Sequence, residues 1–553
     1  MKKAKVIIIA IVLIIYGIIV FAISPNLNPF YSDGLAFYAF IISSFIVVMW
    51  IIKGLDSFKP VVVSDIHGRS RIDKIGMPKM GKVFVLIALA PWIILIIVNI
   101  FSSVIFNQDK FYKQMQAPEV RTFSSDVQAI DISQVPVVDK NLAAVLADKM
   151  LGENPNLGSQ ATLGDPTIQK VNNKLVWVVP LEHSGFFKWL SNSKGTPGYI
   201  VVSATDSSDV TYVDKFPIKY QPNAYFFDNL ERHVRFNGGF FTGITDYSFE
   251  INDEGTPYWV VTTYKNVAGF SLPEADGVLI VDAATGQETR YTLANVPKWV
   301  DRVQPESYIT TQLNNQGEYV HGIFNFSNKD KFQTSANHAI VYNAGRCYLF
   351  TVLTSVGSDQ SSIGFMLVDM VTKKPYMYKI SGSTEDAAQK SAEGKVQSFG
   401  YIATYPLITN VGGTPSYFMT LKDDAGLVKQ FAFVSVKNIN MVGTADTIQG
   451  AMDNYNNAIE NGSVGSIDTT SKKLTITGTV FRISSVINAG NTIYKFILDE
   501  KPNIIFTAVA GVSDTLTLTR EGDNVSITYL DTTKTTIEAT KFDNNTITNP
   551  LTK

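Results

Sequence analysis

The chain contains almost no cysteine. Cys347 is the single cysteine among 553 residues, so an intramolecular disulfide framework and a cysteine-based zinc site are both excluded. Charged residues are also scarce, at 17 %, and the net charge of −2 provides no basic excess for nucleic acid. The folded regions must therefore be stabilised by packing, which is feasible because this length allows several domains.

Recognisable catalytic motifs are missing as well. The sequence has no Gly-x-Ser-x-Gly elbow, no Gly-x-x-x-x-Gly-Lys-Ser/Thr phosphate loop and no EF-hand calcium loop. Residues 65–68, Asp-Ile-His-Gly, match the first metal-binding motif of calcineurin-like phosphoesterases. That family needs further Asp, Asn and His motifs in a domain of ~200 residues, which the short loop around 65–68 cannot supply. We interpret this match as a solvated loop.

The histidines are the remaining candidates for metal binding, and no two of them have the three- to five-residue spacing of a preformed site. The pairs Glu182-His183 and Glu231-x-His233 could each serve a metal, and His321 or His338 could join from a distance. Cys347 lies in an apolar run typical of a buried, inert thiol. We therefore predict no catalytic, cofactor-binding or metal-binding residue. The five histidines are His67, His183, His233, His321 and His338.

Long apolar runs are abundant near the N-terminus. Residues 6–23, 35–52 and 83–106 contain no charge, and about 20 apolar residues cross a ~30 Å hydrocarbon core as a helix. Lysines precede the first run, and the loop 53–82 is rich in Lys and Arg, which are retained on the cytoplasmic side. We predict a multi-pass protein of the cell membrane with a cytoplasmic N-terminus and an extracytoplasmic region 107–553. A cleaved signal peptide is the alternative, but the first run is too long for one.

Beyond a polar connector at 107–135, the pattern predicts an α+β fold. Asp139 is a good N-cap for a helix ending at Leu151, with Leu142, Val145, Leu146 and Met150 on one face. An aromatic-rich strand followed by a second, often glycine-led strand then recurs four times, as expected of hairpins that must stack to bury both faces. Two further helices are predicted, and modules are expected at 136–305 and 306–460. The helices are Ser383–Val396, with a Ser383/Asp386 capping box, and Thr444–Glu460; the repeated strands begin at Leu175, Pro257, Arg346 and Pro415.

One turn suggests a family. An Ala-rich helix and strands that end in Asp282-Ala-Ala-Thr-Gly286, followed by a Tyr-containing strand, resemble PepSY-type extracytoplasmic modules. The resemblance covers 135–305 and, more loosely, 340–440. It implies protein binding or inhibition rather than catalysis, and it carries no functional residue across.

After a Gly/Ser-containing linker at 461–470, residues 471–553 resemble a small five-stranded OB-like barrel. Nine Lys+Arg and eight Asp+Glu leave no basic groove, so single-stranded nucleic acid is disfavoured as a partner. Phe481, Tyr494, Phe496 and Tyr529 are expected in the core. The strands are predicted at 474–486, 493–498, 504–509, 515–518 continuing as 525–529, and 537–542.

The leading prediction is a membrane-anchored extracytoplasmic protein-binding or scaffold protein. Lys/Ile/Asn-rich usage and near-absent cysteine favour a bacterial cell envelope. The expected partners are the lipid bilayer and another envelope protein or polymer, without a cofactor. Two alternatives stay open: an envelope hydrolase whose site assembles only in three dimensions, and a structural surface protein that self-associates.

Overall fold

The fold divides into two compact units, residues 1–455 and 456–553. The computed structural model of the chain describes residues 2–57, 62–64, 70–72, 80–356, 361–462, 473–488, 491–509, 512–530 and 535–547. The phosphoesterase-like motif at 65–68 and all but the first two residues of the linker 461–470 lie outside the described residues.

Three N-terminal helices are long and apolar enough to cross a membrane, as predicted. The third span is shorter than expected: it stops at Ser102, because Ser103 has an extended backbone (ψ 164°) that ends the helix. Assigning 103–106 to this span was therefore wrong. The elements are α1 (Lys2–Ile23), α2 (Ser32–Ser57), β1 (Val62–Ser64), β2 (Ser70–Ile72), α3 (Met80–Ser102) and α4 (Val104–Lys113).

Polar side chains join the three apolar helices. The Tyr16 and Ser44 hydroxyls lie 2.8 Å apart between α1 and α2, and Trp92 Nε1 donates to Ser43 Oγ (2.9 Å) between α3 and α2. Such bonds are favoured where no water competes. Asn99 Nδ2, in contrast, donates to Leu95 O of its own helix (2.9 Å).

The predicted connector 107–135 is structured rather than a simple polar link. Besides α4 it contains β3 (Glu119–Val120) and α5 (Phe123–Asp126). Phe123 is almost fully buried and belongs to a large core, where its ring lies 5.4 Å from that of Phe365. The apolar side chain of Phe123 therefore ties this segment to the sheets that follow.

Four modules follow, each with a helix before an antiparallel sheet whose main strands pair in chain order. Module 1 is residues 140–213 and module 2 is residues 230–292. Module 1 comprises α6 (Lys140–Gly152), α7 (Pro155–Gly158), β4 (Ala161–Leu163), β5 (Thr167–Val171), β6 (Lys174–His183), α8 (Phe186–Ser191), β7 (Tyr199–Ser203) and β8 (Val210–Val213). Module 2 comprises α9 (Leu230–Phe236), β9 (Gly243–Ile251), β10 (Pro257–Ala268), β11 (Ser271–Asp282) and β12 (Glu288–Thr292).

Modules 3 and 4 repeat this order in residues 306–383 and 385–445. The strand β3 of the connector adds to the module 3 sheet in parallel with its Tyr376–Met377 segment. Module 3 comprises α10 (Glu306–Glu318), β13 (Phe332–Thr334), β14 (Ala339–Asn343), β15 (Arg346–Ser355), β16 (Ser361–Asp369), β17 (Pro375–Tyr378) and β18 (Gly382–Ser383). Module 4 comprises α11 (Glu385–Lys395), β19 (Ile402–Ala403), β20 (Leu407–Val411), β21 (Thr414–Lys422), β22 (Val428–Ser435) and β23 (Val442–Ala445), and α12 (Ile448–Gly462) follows.

The mixed helix-and-sheet class is as predicted, but three helix details differ. On α6, Ala143 and Ala147 are buried whereas Val145 is exposed, so the buried face is rotated from the predicted one. Thr384, not Ser383, caps α11 by accepting from Ala387 N. The last helix begins at Ile448 rather than Thr444, because residues 442–445 pair with β22 as a strand.

The second unit contains a closed five-stranded barrel in the order β24-β25-β26-β28-β27. Phe496 and Tyr529 are buried in its core as expected, but Phe481 is exposed. The predicted strand at 515–518 was wrong: residues Leu516–Leu518 form a 3-10 turn. The strands are β24 (Lys473–Asn488), β25 (Asn491–Leu498), β26 (Lys501–Val509), β27 (Asn524–Leu530) and β28 (Thr536–Asn544).

Candidate binding cleft

A cavity of about 770 Å³ opens where modules 1, 3 and 4 meet. This volume lies within the range of ~300–1,000 Å³ typical of small-molecule sites. Leu142, Val145, Trp177, Ile340 and Phe418 supply apolar parts of its wall. A second cavity of about 350 Å³ adjoins it and shares Ile340 and Phe418. We call the first cavity the cleft.

The start of α6 supplies one carboxylate of the cleft. Asp139 accepts a hydrogen bond from Leu142 N (2.8 Å), which satisfies a free amide at the helix N-terminus. It also accepts from Lys422 Nζ (2.6 Å), on the last residue of β21 in module 4. This ion pair therefore joins module 4 to the helix of module 1 across the cleft wall.

The start of α10 supplies the second carboxylate. Arg302 Nη1 donates to Glu306 Oε1 (3.2 Å), and His338 Nε2 lies 2.7 Å from Glu306 Oε2. The hydrogen bond from His338, together with the Arg302 charge, holds the pKa of Glu306 below its usual value. Arg302, Glu306 and His338 all line the cleft. The cleft therefore contains a carboxylate–histidine pair whose carboxylate also forms an ion pair with the Arg302 guanidinium.

The start of α11 places a third acid beside the cleft. Glu385 is buried, and its Oε1 accepts from the hydroxyls of Tyr405 (2.6 Å) and Ser335 (2.9 Å). Burial raises the pKa of Glu385 in spite of these bonds. Since Tyr405 lines the cleft, three helix N-termini approach this surface, each with an acidic side chain that offsets the positive end of the helix dipole.

Behind the cleft wall lies a buried polar network. Asp301 Oδ2 accepts from Lys170 N (2.7 Å) and from the Tyr342 hydroxyl (2.9 Å), while Asp301 N donates to Glu250 Oε2 (3.3 Å). Glu250 is completely buried, and its Oε1 has no hydrogen-bond partner. Burial, aided by the nearby Asp301 charge, raises the pKa of Glu250 to about 8, so this acid is mostly protonated near neutral pH.

The single cysteine adjoins the same network. Cys347 is buried in β15, and burial raises the pKa of its thiol far above the ordinary value. A thiol is nucleophilic only as the thiolate. Cys347 therefore acts as an apolar core residue next to Tyr342.

The other described histidines are dispersed over the first unit. His183 is buried next to Glu182, and burial raises the pKa of Glu182 to about 7. His233 Nε2 lies 2.8 Å from Gly286 O, and His321 Nε2 lies 2.8 Å from Asp330 Oδ2. In the described part of the chain, no group of three or more His, Cys, Asp or Glu side chains is arranged to hold a metal. The structure brings only His338, of these residues, to the cleft.

Arg302 and Glu306 were not singled out from the sequence. Their i, i+4 spacing spans the start of α10 and is typical of a helix ion pair, which is a local signal. Their approach to His338, 32 residues later, depends on strand β14 of the same module and has no local signal.

Comparisons with known proteins identify no family. No family model matches the chain, and no curated protein matches it. Among solved structures, it is similar to a thermostable family-43 glycoside hydrolase (9 % identity, 47 % of this chain and 65 % of that one, TM-score 0.17). It is also similar to a Trypanosoma rangeli sialidase (10 % identity, 68 % of this chain and 53 % of that one, TM-score 0.16). A third similar structure is a B. megaterium levansucrase mutant (10 % identity, 79 % of this chain and 94 % of that one, TM-score 0.18). These TM-scores are too low to support an argument about fold or activity.

Proposed function

We propose that this chain is a membrane-anchored binding or scaffold protein of a bacterial cell envelope, with residues 107–553 outside the cytoplasm. The cleft between modules 1, 3 and 4 is the site at which it takes up another envelope protein or a polymer. The observation that carries the proposal is the cleft itself: an apolar-walled cavity of about 770 Å³ whose acids at the starts of α6 and α10 are already paired. Paired acids and a fixed wall suit recognition, because little has to be reordered when a partner binds.

Two features of the fold support the module assignments within this proposal. The repeated order, in which a helix precedes an antiparallel sheet, is the one expected of PepSY-like α+β modules that bind proteins. The barrel order β24-β25-β26-β28-β27, with a parallel pairing of β26 and β28, supports an OB-like second unit.

Filling the cleft tests this function. Val145 points from α6 into the cavity and is 51 % exposed, so Val145→Trp fills the cleft without disturbing the core. Val120→Trp is the matched control, because Val120 is 55 % exposed and does not line the cleft. Tagged full-length protein should capture a defined partner from solubilised membranes, and V145W should lose it while V120W keeps it. Equal capture by all three proteins would contradict the cleft as the site, and recovery of only the chain itself would favour the self-associating alternative.

The His338–Glu306 pair favours one second candidate, an envelope hydrolase. A histidine held 2.7 Å from a carboxylate has the geometry of a general base with its orienting partner. Purified full-length protein incubated with isolated cell-wall polymer would then release soluble fragments, and His338→Gln would abolish the release. Binding of the polymer without any release, unchanged in H338Q, supports the binding function instead.

A further inference from the structure

An exposed aromatic surface surrounds the end of the first apolar helix. We define the aromatic base as six side chains, 41–81 % exposed, from α8, the 226–228 turn and the segment around α9. Soluble surfaces rarely expose so many large apolar groups in one place, and such patches mark protein or membrane contacts. The aromatic base consists of Phe187, Leu190, Phe226, Phe227, Phe236 and Phe241.

The aromatic base is continuous with helix α1. The ring of Phe21 lies 5.1 Å from that of Phe227, 5.9 Å from Phe236 and 6.3 Å from Phe226. Phe226 in turn lies 6.5 Å from Phe186, the neighbour of Phe187. An unbroken chain of rings therefore leads from the apolar helix to the exposed surface of module 1.

The position of Phe21 fixes the depth of this surface. The apolar window Val6–Ile23 has 18 residues, and at 1.5 Å per residue it spans about 27 Å, close to the ~30 Å hydrocarbon core. Phe21 is the third residue from the end of that window, so in a bilayer spanned by α1 it would lie where acyl chains meet headgroups. Rings packed on Phe21 must lie at the same depth, which is where aromatic side chains are enriched in membrane proteins.

Polar contacts attach module 2 and the aromatic base to the end of α1. Arg232 Nε donates to Phe21 O (2.7 Å) and Arg232 Nη1 donates to Phe226 O (2.6 Å), so one guanidinium bridges the end of α1 and the aromatic base. Leu27 N donates to Phe240 O (2.6 Å), and the Tyr31 hydroxyl donates to Tyr264 O (2.7 Å). Module 2 is thus attached directly to the loop that joins α1 and α2.

A second aromatic pair lies near the end of α3. Phe324 and Phe326 are among the most exposed rings of the chain, with their centroids 6.2 Å apart. Their loop is fixed to α4 because Ile323 N donates to Gln108 Oε1 (3.2 Å), six residues after α3 ends at Ser102. Exposed aromatics therefore accompany the exits of both α1 and α3.

We propose that the aromatic base inserts into the headgroup–acyl boundary of the bilayer, so that modules 1 and 2 lie on the lipid surface as a second, monotopic attachment. This proposal rests on the membrane anchor formed by α1–α3 and adds a lipid contact made by the folded region itself. Lys188 projects from the same helix as Phe187 and Leu190 and is exposed, which suits a cation that reaches phosphate groups. Asp228, in the 226–228 turn, accepts a hydrogen bond from Trp189 Nε1 (3.1 Å), and Lys219 Nζ, 3.7 Å away, offsets its charge.

Depth-dependent quenching tests the proposal on the full chain in lipid vesicles. An environment-sensitive fluorophore is attached to Phe187→Cys or Leu190→Cys, and lipids carry a nitroxide at the top of the acyl chain. The control is Phe399→Cys in module 4, because Phe399 is as exposed as Phe241. A label on Ile14→Cys, in the middle of α1, tests whether α1 itself lies in the bilayer. The unsubstituted chain measures any labelling of the buried Cys347.

We expect several-fold stronger quenching at 187 and 190 than at 399, with strong quenching at 14 by lipids labelled deep in the acyl chain. Quenching at 187 as weak as at 399, with 14 still quenched, overturns the lipid contact and leaves the anchor intact. Blue-shifted emission at 187 without lipid quenching places a protein, such as a second copy, on the surface and also overturns it. Absence of quenching at 14 overturns the anchor and the contact together.

Discussion

The buried acid Glu250 predicts an unusual dependence of stability on pH. Its folded pKa is about 8 against an ordinary value of 4.5, because it is fully buried and adjoins Asp301. The folded state therefore binds a proton more tightly than the unfolded state between these two values. Stability is highest below the unfolded pKa and falls as the pH rises through the folded one. A shift of this size corresponds to about 3–4 kcal/mol of unfolding free energy lost between about pH 5 and about pH 8.

The variant Glu250→Gln isolates this contribution. Glutamine has nearly the same shape as the protonated acid, and its carbonyl oxygen can accept from Asp301 N as Glu250 Oε2 does (3.3 Å). Because glutamine does not titrate, E250Q should lose about 3–4 kcal/mol less than the wild type over the same pH interval. Titrating groups that do not interact with Glu250 contribute equally to both proteins and cancel in the difference.

Two measurements check the prediction. Denaturant unfolding of the detergent-solubilised full chain, followed by tryptophan fluorescence, gives the pH dependence of both proteins. Difference infrared spectroscopy reports protonated carboxyl groups near neutral pH, and E250Q should lose the part of that band that belongs to Glu250. Parallel loss of stability in the two proteins, together with an unchanged carboxyl band in E250Q, would refute the assignment of a neutral acid at this position.

Three further predictions concern the first unit. Asp139→Ala should lower the unfolding free energy by about 2 kcal/mol and Asp139→Asn by about half as much, because asparagine keeps the helix cap but not the ion pair with Lys422. Thermal unfolding measures both variants, and an equal loss of stability in the two would contradict the ion pair. Gly286→Ala should lower the unfolding free energy by about 1–3 kcal/mol more than Gly426→Ala does. Both glycines have positive φ, but only a Cβ at 286 would lie 2.6 Å from the Tyr220 ring. Similar melting temperatures of the two variants would argue against this packing. Cys347 should react with a thiol reagent only after unfolding, and rapid labelling of the native chain would show that it is accessible.

The elements that could be predicted are those with a continuous apolar signal. The three helices that are long and apolar enough to cross a membrane could be predicted because a membrane span requires a long uncharged run. Central strands such as β6 could be predicted because they are buried on both faces. Helix α10 was missed because its buried face includes Gln312 and Gln316, whose polar side chains hide the helical period. Gln316 is tolerated there because its Nε2 donates to Met115 O (3.0 Å), a partner some 200 residues away.

The cleft could not be predicted because its side chains, like the partner of Gln316, come from segments far apart in the sequence. Asp139 was recognised as a helix cap, which is a local role, whereas its pairing with Lys422 joins two modules. Glu306 and His338 come from one module, but the apolar wall around them comes from modules 1 and 4 as well. Side chains that converge from distant segments leave no spacing in the sequence, so only caps and i, i+4 pairs were available in advance.

Module 1 connects the two surfaces that matter most. Its helix α6 lines the cleft through Leu142 and Val145, while its helix α8 carries Phe187 and Leu190 of the aromatic base. The strand β6 leads directly into α8, and α6 packs on the same sheet through a shared core of buried side chains. Because closely packed cores move as rigid bodies rather than deform, the cleft and the aromatic base are held at a fixed separation. A bilayer that holds the aromatic base in place would therefore also fix the height and direction of the cleft above the lipid, which restricts its partners to those that reach that level.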